Sequence, residues 1–315
     1  MPGFVLRRLL QAAVILIGVT MLTFFLFQFL PGGEADAILG PKISPEVRHA
    51  FIHQQGLDRS LPAQYLGYLG RLLHGDLGYS YKQGQSVGSI LTNAIPKSLV
   101  LVGVSLTLAL LIGITVGLFQ ATRRSRIEDH LLTAGAFTLY AMPDFFLALV
   151  LVDIFAIRLH WVPPLAPTGD SWTAAFSHPQ AMILPVATYS LTIIAVFSRY
   201  ARSTAVNILR QDFIRTARAK GAGSVRVLTH HTVRNVCVPI ITLLGLSFPA
   251  LFSGAIIIEE VFNYPGVGLA AYNAALNKDY ALLLGVLVIV GAATVMGNLL
   301  ADIAYAYADP RVRYS

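Results

Sequence analysis

The chain predicts an all-α integral membrane protein with six transmembrane helices and both termini in the cytoplasm. Three observations carry that expectation. Of 315 residues, 55% are hydrophobic and only 12% are charged. A soluble domain carries roughly 25% charge, so too little polar surface remains here to cover a globule, and mean hydropathy is +0.65. The apolar residues fall in blocks able to cross about 30 Å of hydrocarbon at about 1.5 Å per residue. The basic residues gather on one side of those blocks.

The blocks are Leu9–Leu30, Ser98–Ala121, Leu131–Ile157, Ile183–Phe197, Val238–Ile258 and Ala281–Tyr305. Arg7 and Arg8 before the first block, and Ala35-Asp36-Ala37 after it, would suit a signal peptide. Its apolar region, however, would run about 7–15 residues. This block has 22, so retention as an anchor is expected. The third block holds Pro143 and Asp144 and is expected to break there. The fourth is short and the weakest.

With the N-terminus inside, the cytoplasmic segments hold 15 of the 23 basic residues. These are Arg7 and Arg8, then Arg123, Arg124 and Arg126, then eight between 199 and 237, then Arg311 and Arg313. The long segment 31–96 holds five bases balanced by five acids. This is the positive-inside pattern. It accounts for the net charge of +7 without nucleic acid. Cys237 is the sole cysteine, which excludes an intrachain disulfide and a cysteine-based metal site.

The chain divides into a tail and first span (1–30), an extracytoplasmic segment (31–96), and a five-helix core (97–315) with a cytoplasmic loop at 199–237. In the second part, Ser44-Pro45-Glu46 reads as an N-cap, a proline at N1 and an early acid. Leu61, Tyr65, Leu69 and Leu72 then recur at helical spacing. That second helix is amphipathic, for the membrane surface or for packing on the spans. The glycines of "HGDLGYS" (74–80) mark a turn. A segment of this size suits partner docking or a structured connector, and composition does not choose between them.

Motifs for chemistry are missing. There is no G-x-x-x-x-G-K-[ST] and no H-E-x-x-H, so neither a nucleotide site nor a zinc-dependent hydrolase is expected in this chain. His230 and His231 are adjacent, point about 100° apart on a helix, and read as loop or interface residues. Asp144, Asp153, Glu259, Glu260 and Asp302 fall in or near apolar blocks, where charge is costly and usually faces a water-filled path or a partner. Asp144, Asp153 and Glu259 are the candidates for a translocation path. Each has a plainer reading. Asp144 caps a helix break, Asp153 pairs with Arg158 or His160, and Glu259 and Glu260 end the fifth span by interface solvation or structural hydrogen bonding.

The basic loop is the most distinctive stretch. Read as a helix, Gln211–Gly221 places Phe213, Thr216, Ala217 and Lys220 on one face. Ala219 adds to the small side chains, Arg215 and Arg218 flank them, and Gly221 and Gly223 follow where the helix would end. Small residues let another surface approach the backbone, and arginines suit acidic groups on it. A patch for anionic lipid headgroups explains the charge equally well, and the residues alone leave both readings open.

The stretch "DFIRTARAKGAGSVRVLTHHTVRNVCVPI" (212–240) resembles the coupling loop of ABC-importer permeases of the dipeptide/oligopeptide/nickel group. Gly221 and Ala217 match the glycine and second alanine of the general E-A-A-x-x-x-G pattern. Arg215 and Thr216 stand where that pattern has its acid and first alanine, and Pro239 comes later than the general spacing. Both departures are usual in the peptide/nickel group. "GLDRSLPAQYLGYLGRLLHGDLGYS" (56–80), "IIIEEVFNYPGVG" (256–268), "RRLL" (7–10) and "DPRVR" (309–313) resemble the same group, in order along the whole chain.

The resemblance implies a permease subunit of the methionine-importer type in a bacterial or archaeal cytoplasmic membrane. It implies a second homologous permease, two cytoplasmic ABC ATPases that carry the ATP and Mg, an external substrate-binding protein, and no cofactor in this chain. Phe213, Arg215, Thr216, Ala217, Arg218, Ala219, Lys220 and Gly221 would seat in an ATPase. The implied cargo is a peptide, with a nickel or metal-chelate cargo as the alternative within the group; the spans hold no histidine for a soft-metal route. The group usually has apolar or small polar residues near Asp144 and Asp153, so an acid lining the path here would favour a cationic group such as a peptide amino terminus. A stand-alone secondary transporter is the competing class.

Overall fold

The computed structural model describes residues 2–28, 43–169 and 171–308. Helix α1 spans Pro2–Gln28, α2 Pro45–Gln55 and α3 Leu61–Leu73. A small antiparallel hairpin follows, β1 (Tyr79–Ser80) and β2 (Gln85–Ser86), with Tyr79 opposite Ser86. Then come α4 (Val87–Thr122), α5 (Ile127–Ala141), α6 (Asp144–Leu151) with its π-helical continuation Val152–Arg158, α7 (Ala174–Ser177) and α8 (Pro179–Ile208). The remainder holds α9 (Asp212–Ala219), α10 (Val233–Ser253), α11 (Ile256–Val261), α12 (Val267–Leu276) and α13 (Tyr280–Ala308).

Among the described residues, five stretches are long and apolar enough to cross a membrane: Arg7–Leu26, Val87–Thr122, Pro179–Ile208, Ser224–Val261 and Tyr280–Leu300. A sixth arises when α5 and the α6 segment are taken together, and these are bent by 109°. The expected break at Pro143 is its cause. A residue before proline avoids the α region, and Met142 is extended (φ −80°, ψ 127°). Each half is about 22 Å long at 1.5 Å per residue, short of the hydrocarbon thickness.

The fourth span is much longer than its apolar block. Helix α8 runs through Arg199 and Arg202 to Ile208, because both arginines find partners on α5. The fifth is interrupted. At Gly254 the backbone turns to φ 70°, which ends α10 and puts Glu259 on the separate short helix α11.

Helix α4 packs on α8 along a G-x-x-x-G pair. A Cβ on Gly113 would stand 2.7 Å from that of Phe197, and one on Gly117 2.5 Å from Ala201 Cβ and the Ser198 carbonyl. Small residues spaced this way let two membrane helices touch backbone to backbone. Helix α13 packs on α10 and on α1.

In the segment after α1, Ser44 caps α2, accepting from the Val47 N–H at 3.4 Å, and Gly56 ends it at φ 67°. Helix α3 packs on α1. Phe24 meets the rings of Tyr65 and Tyr68 at 5.4 and 6.1 Å, and Tyr65 Oη lies 3.0 Å from Thr20 Oγ1. Gly75 and Gly78 take the positive φ that the turn needs. The hairpin beyond was not expected, since strands of two residues show no alternation. Ser80 ties it to the buried Asp279 carboxylate, which also accepts from the Leu282 N–H at the start of α13. The Ala35–Ala37 stretch, the 309–313 stretch and the side chain of Asp302 lie outside the described residues.

Candidate functional site

Helix α9 lies between two spans and is held by one side chain. Ile214 is fully buried among Leu118, Ala121, Ala201, Ala205, Ile208, Val227, Val236 and Ile240. Its neighbours face outward: Phe213, Arg215, Thr216, Arg218, Ala219 and Lys220 are exposed and Ala217 is half-buried. Of the expected face, Phe213, Thr216 and Lys220 are exposed and Ala217 is half-buried. The Phe213 ring leans toward His231 at 6.5 Å, and His231 stacks edge-on with His230 at 5.2 Å. The helix ends in a Schellman turn, with Ala222 N–H donating to Ala217 O at 3.0 Å and Gly221 N–H to Arg218 O at 2.9 Å. Gly221 sits at φ 85° with open space where a Cβ would be. Backbone conformation, not crowding, demands glycine there.

The base under α9 is clamped. Arg202 of α8 donates from Nε and Nη2 to the two carboxylate oxygens of Asp129 at 2.6 and 2.7 Å, and the Ser125 N–H donates to the same group at 3.0 Å. Asp129 is buried, so this bidentate, hydrogen-bonded pair is the kind whose rupture is expensive. It locks the 123–126 turn and the start of α5 to α8. One turn back, the Arg199 guanidinium lies 4.4 Å from the Phe137 ring centre and 5.2 Å from that of Tyr140. The apolar-block reading missed both features. It left Asp129, just beyond Arg123, Arg124 and Arg126, without a role and placed Arg199 and Arg202 in the loop. The signal available was spacing, since 199 and 202 are one helical turn apart.

The three acids expected in or near the path differ in place. Asp144 opens α6, half-buried, and accepts from Thr192 Oγ1 of α8 at 3.0 Å. Asp153 sits in the π-helical turn and accepts from Arg158 Nε at 2.8 Å, with both side chains substantially exposed. Glu259 is fully buried. Its Oε1 accepts from Ser98 Oγ at 2.7 Å and from the Ala255 N–H at 3.3 Å, and its Oε2 from the Leu269 N–H at 3.0 Å. Glycines make this cage possible, because a Cβ on Gly266 would stand 2.5 Å from Glu259 Oε2 and Ser98 Oγ. Tyr264 closes the cage region and donates to the Lys97 carbonyl at 3.1 Å. Burial, with the Glu259 carboxylate nearby, raises its phenol well above the usual tyrosine range, so it stays a donor. Among the described residues, no group of three or more His, Cys, Asp or Glu is placed to hold a metal ion.

A bundle of apolar helices, an exposed basic helix between two of them and polar groups at their breaks define a helical membrane component with one basic helix turned outward. Comparison with known families gives that class a definite place. Residues 113–314 match the family described as the binding-protein-dependent transport system inner membrane component, and residues 1–102 match its N-terminal counterpart. The chain belongs to this family. It is 36% identical over 320 residues to the oligopeptide transport system permease protein AppB of Bacillus subtilis, with all of both chains covered. It is 36% identical over 315 residues to the oligopeptide transport system permease protein OppB of Haemophilus influenzae, and 33% identical over 314 residues to the glutathione transport system permease protein GsiC of Salmonella typhimurium, again over all of both chains.

Proposed function

We propose that this chain is a peptide-importing permease subunit of an ATP-driven ABC transporter, with six spans, a methionine-importer-type fold and both termini in the cytoplasm. The observation that carries the reading is α9, a solvent-facing helix with small and basic residues outward and one buried anchor, Ile214, in a clamped base. A chain without a nucleotide motif needs an external energy source and a place to receive it. Phe213, Arg215, Thr216, Ala217, Arg218, Ala219, Lys220 and Gly221 form that place, seated in a cleft of one of two ATPase subunits that bind ATP and Mg. Closure of the ATPase pair pulls α9, and through it α8 and α4, so that this chain and a second homologous permease alternate between inward-open and outward-open. An extracytoplasmic binding protein delivers cargo to the 31–96 face.

Peptide cargo follows the relatives, two of them named oligopeptide permeases and one a glutathione permease. Asp144, at the break between α5 and α6, is assigned to the translocation path. The contacts of Asp153 and Glu259 suit holding the π-helical turn and the 254–269 segment. The test is co-purification from membranes with Ala217→Trp beside the wild type. Wild type is expected to bring ATPase subunits with it, and the variant to lose them while α-helical content stays unchanged. Equal ATPase recovery with both chains would overturn the coupling assignment.

A further inference from the structure

Helix α8 carries two oppositely charged stations on one stripe. Thr192 and Arg199 are seven residues apart, nearly two full turns, so they share a face about 10 Å apart along the axis. At the first station Thr192 holds the half-buried Asp144 carboxylate. At the second the Arg199 guanidinium lies over the exposed rings of Phe137 and Tyr140. Among the described residues no carboxylate pairs with Arg199. A charge in a span without a counter-ion marks a site more often than a strut.

The direction of Arg199 rules out the ordinary use of such an arginine. A snorkelling side chain reaches for the nearer headgroups, which here lie at the end of the bundle where Arg202 meets Asp129. Phe137 is eight residues beyond Asp129 on α5, about 12 Å deeper at 1.5 Å per residue. The guanidinium is thus aimed into the membrane, toward the break where Asp144 sits. Its aromatic bed holds it by cation–π contact and leaves its N–H fork for an acceptor.

From this juxtaposition we infer that α5, α6 and α8 form a two-ended site for a zwitterionic peptide, with Asp144 taking the amino terminus and Arg199 the carboxylate. This rests on the importer reading and deepens it. The Arg199 side chain leans toward the break, so its charge stands closer to Asp144 than the backbone spacing of about 10 Å, and an extended chain of about three residues, at about 3.3–3.6 Å per residue, reaches between them. Arginine meets a carboxylate with two parallel hydrogen bonds, and a capped terminus forfeits that contact. Cargo is then checked a second time, inside the membrane, after the binding protein has released it.

The test uses the whole reconstituted transporter in proteoliposomes, with its binding protein unaltered. Trialanine, its C-terminal amide and its N-acetyl form are supplied at concentrations that load the binding protein equally, as measured by titration. Wild type is expected to import trialanine about tenfold faster than either capped form, the order of one charge-assisted contact. Arg199→Gln should bring the ratio of free to amidated peptide close to one and leave the acetyl ratio in place. Asp144→Asn should do the reverse, and Arg199→Lys should restore part of the amide discrimination. Wild-type ratios near one at equal loading, or ratios the variants do not move, overturn the two-ended site. Should Arg199→Gln fail to assemble, the wild-type ratios and Asp144→Asn decide. Stimulation of ATP hydrolysis by the loaded binding protein separates the two levels. Present with flat ratios, it leaves the importer reading standing and removes this site; absent, it removes both.

Discussion

Helix α9 and the 254–269 segment make an instructive pair. Both are short, and both carry the motifs that resemble known permeases most closely. The first is tied to the rest of the chain by one buried residue, Ile214, and turns every charged group outward. The second turns its glutamate inward and saturates it with a hydroxyl and two backbone N–H groups inside a wall of glycines. A distinctive motif thus has two separate physical origins, a contact with something else or a contact with itself. Burial and hydrogen-bond saturation tell them apart where spelling does not.

The comparison breaks first at the cage. Glu259→Ala leaves the Ser98 hydroxyl and two N–H groups buried without an acceptor, and is expected to cost about 3–5 kcal/mol. Thermal unfolding in detergent reads it, and a Tm within a degree of wild type would refute the account of the 254–269 segment. Next is Ile214→Ala, at about 2–4 kcal/mol for a buried aliphatic truncation. Here the loss should be local: the α9 amides exchange faster and binding-protein-stimulated ATP hydrolysis falls, while the spans keep their protection. Uniform loss of protection would mean that α9 is part of the core.

Smaller still is Gly221→Ala. The left-handed backbone costs an alanine about 1 kcal/mol, seen as faster exchange at residues 220–222 with ATPase subunits retained. Smallest is Arg215→Ala. Its partner Asp212 is 3.5 Å away and both side chains are largely solvated, at 80% and 94% exposure, so stability should not move. Any effect must then appear in ATPase affinity, which is what separates a partner-facing residue from a structural one.

The sequence made the apolar blocks, the break at Pro143 and the outward face of α9 legible, because each rests on local rules of period, proline geometry and side-chain size. The Asp129–Arg202 clamp was not legible. Its partners are 73 positions apart, and Asp129 sits behind three arginines that explain it away. The true length of α8 was hidden for the same reason: a hydropathy block stops at its first charge, whereas the helix continues wherever that charge is partnered. Ile214 escaped because attention to small and basic positions left the one large aliphatic residue of α9 unassigned. Asp144 and Glu259 looked alike as intramembrane acids. Only the fold showed one hydrogen-bonded by a single threonine and the other enclosed.

The G-x-x-x-G contact between α4 and α8 has a mechanical consequence. With Gly117 already against Ser198 and Ala201, the two helices have no slack to slide past one another and behave as one stiff beam. At 30 residues, α8 is about 45 Å long. A swing of about 10° around its middle therefore carries each end through about 4 Å. Under the proposed importer reading, a load applied beside Ile208 would reappear, reversed in direction, at the other end of the helix near Pro179.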